Sequence, residues 1–377
     1  MPAPPVQPIV IWFGRVGDLI LLSALLEILH RRFGRACHVI GAGAWPGEIY
    51  AAHSDVARVS CLHRYTAWVF DPSWWRTLRA LRAARADPVY VCETDPRKLA
   101  RIRRLLRFSG TDPARCVFLA TAPPHTSKTA PTHWVDRLVD LGRLTPAAFN
   151  AADYPWPAPA PRCAPLLMVS AAARAECAAW LERQGWRERT LILVQPGNRR
   201  TMRGRRLRVS PADDKSWPLE RWAALLHRIH ARLPQAVIVL CGAPRESVLL
   251  EWIAAAAQLP AVAAAELPLP RLLALCARSH SMISVDTGPA HAAAALGLPL
   301  VVLFGAHSPQ QWLPRSPAGS PVCGVGGPPQ CTRLDEISVE TVFAAWCALG
   351  TAAQVPGAPA PGADGALTTT AARATAP

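Results

Sequence analysis

Four short groups of residues in this 377-residue chain carry side chains suited to chemistry, and each one follows an apolar run. The first is Gly14-x-x-Gly17-Asp18, where glycines let the backbone turn tightly and Asp18 stands at the start of an apolar helix. A carboxylate there can draw a proton from a hydroxyl as general base. It can equally cap the helix, a role that stabilises by ~1 kcal/mol. The helix terminus lowers a carboxylate pKa, so the base role needs an apolar wall to oppose that field. The second group runs from Gln195-Pro196-Gly197-Asn198 through six arginines between Arg199 and Arg208 to Lys215, just ahead of Trp217-Pro218. A lysine delivered to a strand–helix cleft suits a diphosphate, because it neutralises charge as a leaving group departs. The arginines read equally as a solvated loop. The third is Cys241-Gly242-Ala243-Pro244-Arg245-Glu246, whose glutamate can accept from two ribose hydroxyls or simply favour a helix start. The fourth is Asp286-Thr287-Gly288-Pro289-Ala290-His291: a strand end, a turn glycine and a proline that opens a helix. The exposed amides of that helix form a ready anion site, and Asp286 can bond sugar hydroxyls. The alternative is a capping Asp286 with His291 packed in the core.

The elements that must position these groups are short apolar strands alternating with helices. Ile9–Phe13, Cys37–Ile40 and Val89–Cys92 are strands of buried type, separated by helical stretches at Leu19–Phe33 and Trp74–Ala86. After the run Tyr154–Pro161, which its prolines make a semi-rigid linker, the alternation resumes. Strands at Leu191–Val194, Ala236–Leu240, Met282–Val285 and Leu300–Phe304 alternate with helices at Leu219–Leu233, Glu246–Ala257 and Pro289–Leu296. This pattern predicts two α/β units, each a parallel sheet covered on both faces, over residues 1–160 and 161–350. Residues 351–377, nearly all Ala, Pro, Gly and Thr, read as a disordered tail.

A net charge of +15 on a chain that is 51% hydrophobic points to anionic partners and excludes global disorder. The stretch Arg76–Arg107 holds ten basic residues against three acidic ones and follows Trp74-Trp75. It is the candidate surface for a phosphorylated lipid or an anionic membrane, or else a plain solvated helix pair. Eleven cysteines without a CxxC pair read as buried small side chains in a reducing compartment, and the nearest pair, Cys323 and Cys331, lacks further metal ligands. No Asp-x-Asp triplet, P-loop or G-x-G-x-x-G fingerprint occurs, which speaks against a metal–diphosphate clamp and a nicotinamide site. The apolar stretches Ile9–Phe13 and Leu19–Leu26 fall short of a leader or a span of ~20 residues, so a cytoplasmic protein is expected, at most peripheral at the inner membrane.

Taken together, Ile9–Leu26, Leu191–Leu225, Val237–Glu246 and Ser281–Trp312 resemble glycosyltransferase family 9, the lipopolysaccharide heptosyltransferases. The resemblance implies a GT-B architecture, two Rossmann-like domains facing across a cleft, with the acceptor in the first and the nucleotide-sugar donor in the second. It implies inverting, metal-independent transfer of a sugar, heptose on an ADP carrier, to a lipopolysaccharide core or related anionic glycan. Asp18 then looks like the general base, Lys215 like the residue at the donor phosphates, and Glu246 like the ribose ligand. Asn198 joins the donor side, Leu267 falls at the adenine pocket, and Asp286, Thr287, Gly288 and His291 form the sugar and phosphate loop. Arg15, Arg76, Arg79, Arg97 and Lys98 are the candidates for an anionic acceptor or membrane. Leu22, Ser23 and Ala24 depart from the family's usual two threonines and proline, which bears on substrate identity more than on reaction type. The competing readings are a basic nucleic-acid- or membrane-surface-binding protein and an inactive family member. Nucleic-acid binding would require one continuous arginine face with stacking aromatics, and no nucleic-acid partner is expected.

Overall fold

In the computed structural model, residues 4–63, 70–122, 132–198, 201–203, 206–207, 215–260 and 262–350 are described. Most of the arginine run 199–208 and the tail 351–377 lie outside the described residues. The first five strands are β1 Ile9–Ile11, β2 Cys37–Ala42, β3 Val56–Leu62, β4 Val89–Val91 and β5 Cys116–Phe118. They form one parallel sheet in the order β3-β2-β1-β4-β5. The helices between and after them are α1 Val16–Phe33, α2 Trp45–Ile49, α3 Pro72–Ala83, α4 Pro96–Ser109 and α5 Trp134–Arg143.

The second sheet holds β6 Leu191–Gln195, β9 Val237–Gly242, β10 Val262–Glu266, β11 Ser281–Val285, β12 Leu300–Phe304 and β13 Val322–Gly326. All are parallel, in the order β10-β9-β6-β11-β12-β13. A two-stranded hairpin, β7 Met202–Arg203 with β8 Arg206–Leu207, interrupts the stretch between β6 and the next helix. Around this sheet lie α6 Ala171–Arg183, α7 Leu219–Arg232, α8 Ser247–Ala257, α9 Leu269–Cys276, α10 Gly288–Ala295, α11 Pro309–Trp312 and α12 Val339–Ala348. In both sheets the first strand is interior and the chain reverses direction across the sheet between it and its fourth. That is the topological switch point, where the carboxyl ends of the strands open a crevice. Here the crevices lie between β1 and β4, and between β6 and β11.

Helix α1 joins the two halves. Every residue from Leu19 to Leu26 is buried, so it is a helix apolar all round and enclosed on all sides. It packs on α5 in its own half and on α10 in the other. The sequence of α10, Gly-Pro-Ala-His-Ala-Ala-Ala-Ala, has side chains small enough for that close approach. Gly34 ends α1 in the left-handed region at φ 76.

The proline-rich linker is held against the end of α1. Buried Arg32 donates through Nε and Nη2 to the Tyr154 carbonyl at 3.1 and 2.7 Å, and through Nη1 to the Leu144 carbonyl at 3.0 Å. Arg31 donates to the Pro159 carbonyl. Just beyond, the Leu166 N–H donates to Ser23 Oγ at 3.0 Å, and the Leu166 carbonyl bonds the His53 ring at 3.0 Å. Ser23 is thus a structural tie between α1 and the linker's far end.

Candidate active site

At the end of β1 the chain turns through Trp12, Phe13 and Gly14 into α1. A Cβ on Gly14 would stand 2.5 Å from the Asp18 Cβ, so only glycine fits. Asp18 Oδ2 accepts the Arg15 N–H at 2.7 Å, so the capping bond is made. The basicity of the carboxylate nevertheless moves the other way. Burial raises the Asp18 pKa and outweighs the Arg15 hydrogen bond and the nearby Lys98 and Arg15 charges. The capping bond is therefore made without depressing the carboxyl, because burial opposes it.

Lys98, a candidate for an anionic acceptor or membrane, reaches back from α4 toward the end of β1. Its Nζ donates to the Phe13 carbonyl at 2.8 Å and stands 3.7 Å from Glu93 Oε2. Glu93 lies two residues past β4, is 3% exposed, and accepts the N–H groups of Thr94 and Asp95 through Oε1 at 3.1 and 3.0 Å. Sequence reading missed this carboxylate, although its place at the end of a buried strand was the available signal. Of the other basic candidates, Arg15 is exposed at the start of α1 and Arg97 at the start of α4. Arg76 and Arg79 are exposed on α3.

In the second half the loop after β11 gathers two side chains on one carboxylate. Lys215 Nζ donates to Asp286 Oδ2 at 2.7 Å and to the Asp286 carbonyl at 2.8 Å. The His307 Nδ1 bonds the same Oδ2 at 2.9 Å. Burial would raise the Asp286 carboxyl, but the His307 bond and the Lys215 ammonium overcome it and hold the group well below the usual carboxylate range. His307 lies three residues past β12, the strand beside β11, and sequence reading missed it too.

Thr287, not Asp286, occupies the cap position of α10, and its hydroxyl is 3.3 Å from Ser284 Oγ. Gly288 opens the helix against the other half of the molecule: a Cβ there would lie 3.1 Å from the Gly17 nitrogen and 3.1 Å from Val16 Cβ. The amino ends of α1 and α10 therefore meet at Gly17 and Gly288, which brings their partial positive charges together. His291, one turn into α10, is buried and presses its ring toward Gly17. Burial pushes its pKa down to about 4, so at neutral pH it is an uncharged spacer between the two helix tips and supplies no cation to a phosphate.

Glu246 closes the short turn after β9. It is 3% exposed, and its Oε2 accepts the Ala243 N–H at 2.9 Å. The other oxygen, Oε1, is buried without a hydrogen-bond partner among the described residues and lies 2.8 Å from where a Cβ on Gly197 would sit. Burial raises the Glu246 pKa despite the Ala243 bond. A vicinal diol would give that oxygen the donor it lacks. Asn198 is at the end of β6, its N–H on Thr201 Oγ1 at 2.9 Å, and Leu267 is buried beside the end of β9, its N–H 3.3 Å from the Gly242 carbonyl. Glu246→Gln is expected to weaken donor binding about tenfold, from the loss of a charged acceptor. The melting temperature should not fall, because a buried charge is removed; calorimetric titration and thermal unfolding check the two halves.

Two further ties run from α5 to the residues around the end of α11. Arg315 forms a two-pronged pair with Asp136 at 2.6 and 2.8 Å, and Trp134 packs on Trp312 with ring centroids 5.3 Å apart. Among the described residues no group of three or more His, Cys, Asp or Glu side chains is placed to hold a metal ion. Among them, too, no helix is long and apolar enough to cross a membrane.

Comparison with known proteins agrees with this layout. The chain is 34% identical over 104 residues to the lipopolysaccharide heptosyltransferase 3 of Escherichia coli, a match covering 27% of this chain and 31% of that protein. The matched stretch is thus about a third of the curated relative's length. Its fold is that of the E. coli ADP-heptose lipopolysaccharide heptosyltransferase II, with a TM-score of 0.66 at 21% identity over 91% of this chain and 98% of the other. The E. coli heptosyltransferase WaaC, solved with ADP, gives a TM-score of 0.65 at 19% identity over 91% and 100%. The architecture is GT-B: two parallel-sheet α/β halves facing across a crevice. The sequence model of glycosyltransferase family 9 (heptosyltransferase) matches residues 117–333, more than half of the 377 residues, and the chain belongs to that family.

Proposed function

We propose that the protein moves a sugar from a nucleotide-diphosphate donor, heptose on ADP, to a hydroxyl of the lipopolysaccharide core or a related anionic glycan. The observation that carries this reading is the meeting of the α1 and α10 amino ends, which sets Asp18 on one side of a crevice and Lys215 with Asp286 on the other. Asp18 takes the proton of the acceptor hydroxyl, whose oxygen attacks the anomeric carbon. The bond from that carbon to the diphosphate oxygen breaks, and the diphosphate leaves with the electron pair. Lys215 and the amides at the start of α10 receive its charge, so the step needs no metal. Attack opposite the leaving group inverts the anomeric centre. Glu246 holds the ribose, Leu267 the adenine, and Asn198, Asp286, Thr287 and Gly288 the sugar and phosphates; His291 sets the loop from beneath. The relatives support this donor: one solved fold neighbour is an ADP-heptose transferase and another was solved with ADP. Residues 1–160 serve as the acceptor domain and 161–350 as the donor domain. The protein works in the cytoplasm, with Arg76, Arg79 and Arg97 toward the anionic inner membrane surface that carries the acceptor.

The test is a transfer assay with ADP-, UDP- and GDP-sugars and a heptose-deficient core acceptor, with and without chelator. ADP release matched by acceptor mass gain, unchanged by chelator, is the expected result. Turnover of a UDP- or GDP-sugar alone would overturn the donor assignment, and no transfer from any donor would overturn the activity.

A further inference from the structure

Strands β1 and β4 are neighbours in the first sheet, paired up to Ile11 with Val91. Two residues past that last pair, the two chains bring Phe13 and Glu93 to the mouth of the switch-point crevice. Lys98 spans them from the first turn of α4. Its Nζ donates to the Phe13 carbonyl at 2.8 Å and stands 3.7 Å from Glu93 Oε2. Asp95 accepts the N–H groups of Arg97 and Lys98 at 2.9 and 3.0 Å, so the lysine stem leaves α4 from a fixed start. Glu93 is buried, and its Oε1 is taken by Thr94 and Asp95. Among the described residues its Oε2 has no hydrogen-bond partner, and the Lys98 ammonium is the cation beside it. Holding a lysine stem in place costs side-chain entropy, and burying an unbonded carboxylate oxygen costs more. Such expense is expected where a site needs it.

What the lysine grips is the turn that carries Asp18. Gly14 follows Phe13, and a Cβ on it would stand 2.5 Å from the Asp18 Cβ; Arg15 comes next, and its N–H bonds Asp18 Oδ2 at 2.7 Å. Both contacts to the Asp18 side chain thus come from the two residues that follow the gripped carbonyl. We propose that Lys98 and Glu93 are positioning residues for Asp18: Glu93 directs the Lys98 ammonium to the Phe13 carbonyl, and that bond sets the Gly14-Arg15 turn that aims the carboxylate at the acceptor hydroxyl. The inference rests on the reading of Asp18 as the base. Neither residue touches substrate in this role. A shift of the turn moves the carboxylate with it, and a misplacement of ~1 Å costs about a hundredfold in rate. Lys98 acts on the same group through its charge as well, which lowers the Asp18 pKa against the larger rise from burial. Among the described residues, the charged groups facing Asp18 are Arg15 on its own turn and Lys98 on α4, with Glu93 behind Lys98. From α10, His291 lies near Gly17 with a pKa of about 4 and is the same in every variant below.

The experiment measures transfer from ADP-heptose to a heptose-deficient core acceptor across pH, with donor affinity by calorimetry and thermal unfolding alongside. Lys98→Met keeps most of the stem and removes both donor and charge. It should lower kcat by about tenfold or more with donor affinity within about twofold of the wild type. Its kcat/KM should begin to fall at a higher pH on the acid side, because loss of the cation raises the Asp18 pKa. Lys98→Arg, which keeps a charge and a donor for one carbonyl, should recover most of kcat and restore the acid limb. Glu93→Gln keeps an acceptor for Thr94 and Asp95 but turns an amide toward the ammonium, so it should lower kcat too. Combined with Lys98→Met it should cost no more than Lys98→Met alone, since both act through one contact. In an Asp18→Asn background, Lys98→Met should change turnover by less than about twofold, there being no base left to aim. If Lys98→Met keeps the wild-type kcat and acid limb while Asp18→Asn is impaired, the positioning role is refuted and the base stands. Equal losses from Lys98→Met in both backgrounds, or a loss that follows a lowered melting temperature with the acid limb unmoved, refute it as well. If Asp18→Asn turns over like the wild type, the base reading itself falls.

Discussion

Asp18→Asn is expected to cut turnover by about a hundredfold or more while leaving donor affinity within about twofold of the wild type. Asparagine has nearly the shape of aspartate, and its Oδ1 can still accept the Arg15 N–H that now stands at 2.7 Å. The helix start is therefore preserved and the ability to take a proton is lost. Stability supplies a second, independent sign. Burial raises the folded-state Asp18 pKa above its unfolded value. For a carboxyl shifted that way, the folded state binds the proton more tightly than the unfolded chain. Its stabilising contribution is then present at acid pH and lost as pH rises through the raised value. At neutral pH the ionised group costs stability, so the asparagine variant should melt no lower than the wild type. The same shift predicts that wild-type kcat/KM falls on the acid side at a pH above the ordinary aspartate range. Stopped-time transfer assays across pH, with thermal unfolding alongside, read all three. Unchanged turnover would remove Asp18 from the base role; a collapsed melting temperature would show it to be chiefly a cap.

The strands that sequence alone predicts are the interior ones: β1, β2, β4, β6, β9, β11 and β12. Each is covered on both faces and so reads as an unbroken apolar run, such as Leu191-Ile192-Leu193-Val194. Of the six that escape it, β3, β5, β10 and β13 are the edges of the two parallel sheets, and β7 and β8 form the short antiparallel pair within the arginine run. Val56-Ala57-Arg58-Val59-Ser60-Cys61-Leu62 carries polar residues because one side of an edge strand meets solvent, and no simple period survives. The sites divide in a similar way. Asp18, Glu246 and Asp286 could be picked out because each lies just past a strand end beside glycine or proline that forces a turn, and Lys215 because it stands just ahead of Trp217-Pro218 and α7. Glu93 carried the same strand-end signal without a flanking glycine or proline, whereas His307 was not legible, since what makes it notable is an aspartate 21 residues upstream. The inward turn of Lys98 was hidden for the same reason. On sequence it is one more base in a basic helix, and only the position of the Phe13 carbonyl separates it from Arg97.

Lys215→Ala is expected to weaken donor binding by about a hundredfold and to lower turnover at saturating donor as well. An ammonium that meets charge developing on a departing diphosphate matters more in the transition state than in the ground state. Two of its three N–H groups are engaged with Asp286, at 2.7 and 2.8 Å, which leaves one to meet a phosphate without breaking the pair. Removing the lysine strips Asp286, 7% exposed, of its nearest positive charge and leaves the His307 bond. The fold should lose on the order of 2 kcal/mol, for a buried carboxylate that has lost one of its partners. The pH dependence of that loss has a definite sign. The wild-type Asp286 carboxyl is held well below its unfolded value, so its contribution is present at all pH values above the ordinary carboxylate range and fades only as pH drops toward the depressed one. Without Lys215 the depression shrinks, and the acid loss of stability should begin at higher pH than in the wild type. Lys215→Arg separates charge from geometry: the guanidinium keeps the charge but spreads it over a planar fork that cannot reproduce both contacts to one residue's carboxylate and carbonyl. Partial recovery of stability with poor recovery of turnover is the expected pattern. Full recovery of both would mean that Lys215 acts as a bulk charge near the crevice, without the specific position that the pair with Asp286 gives it.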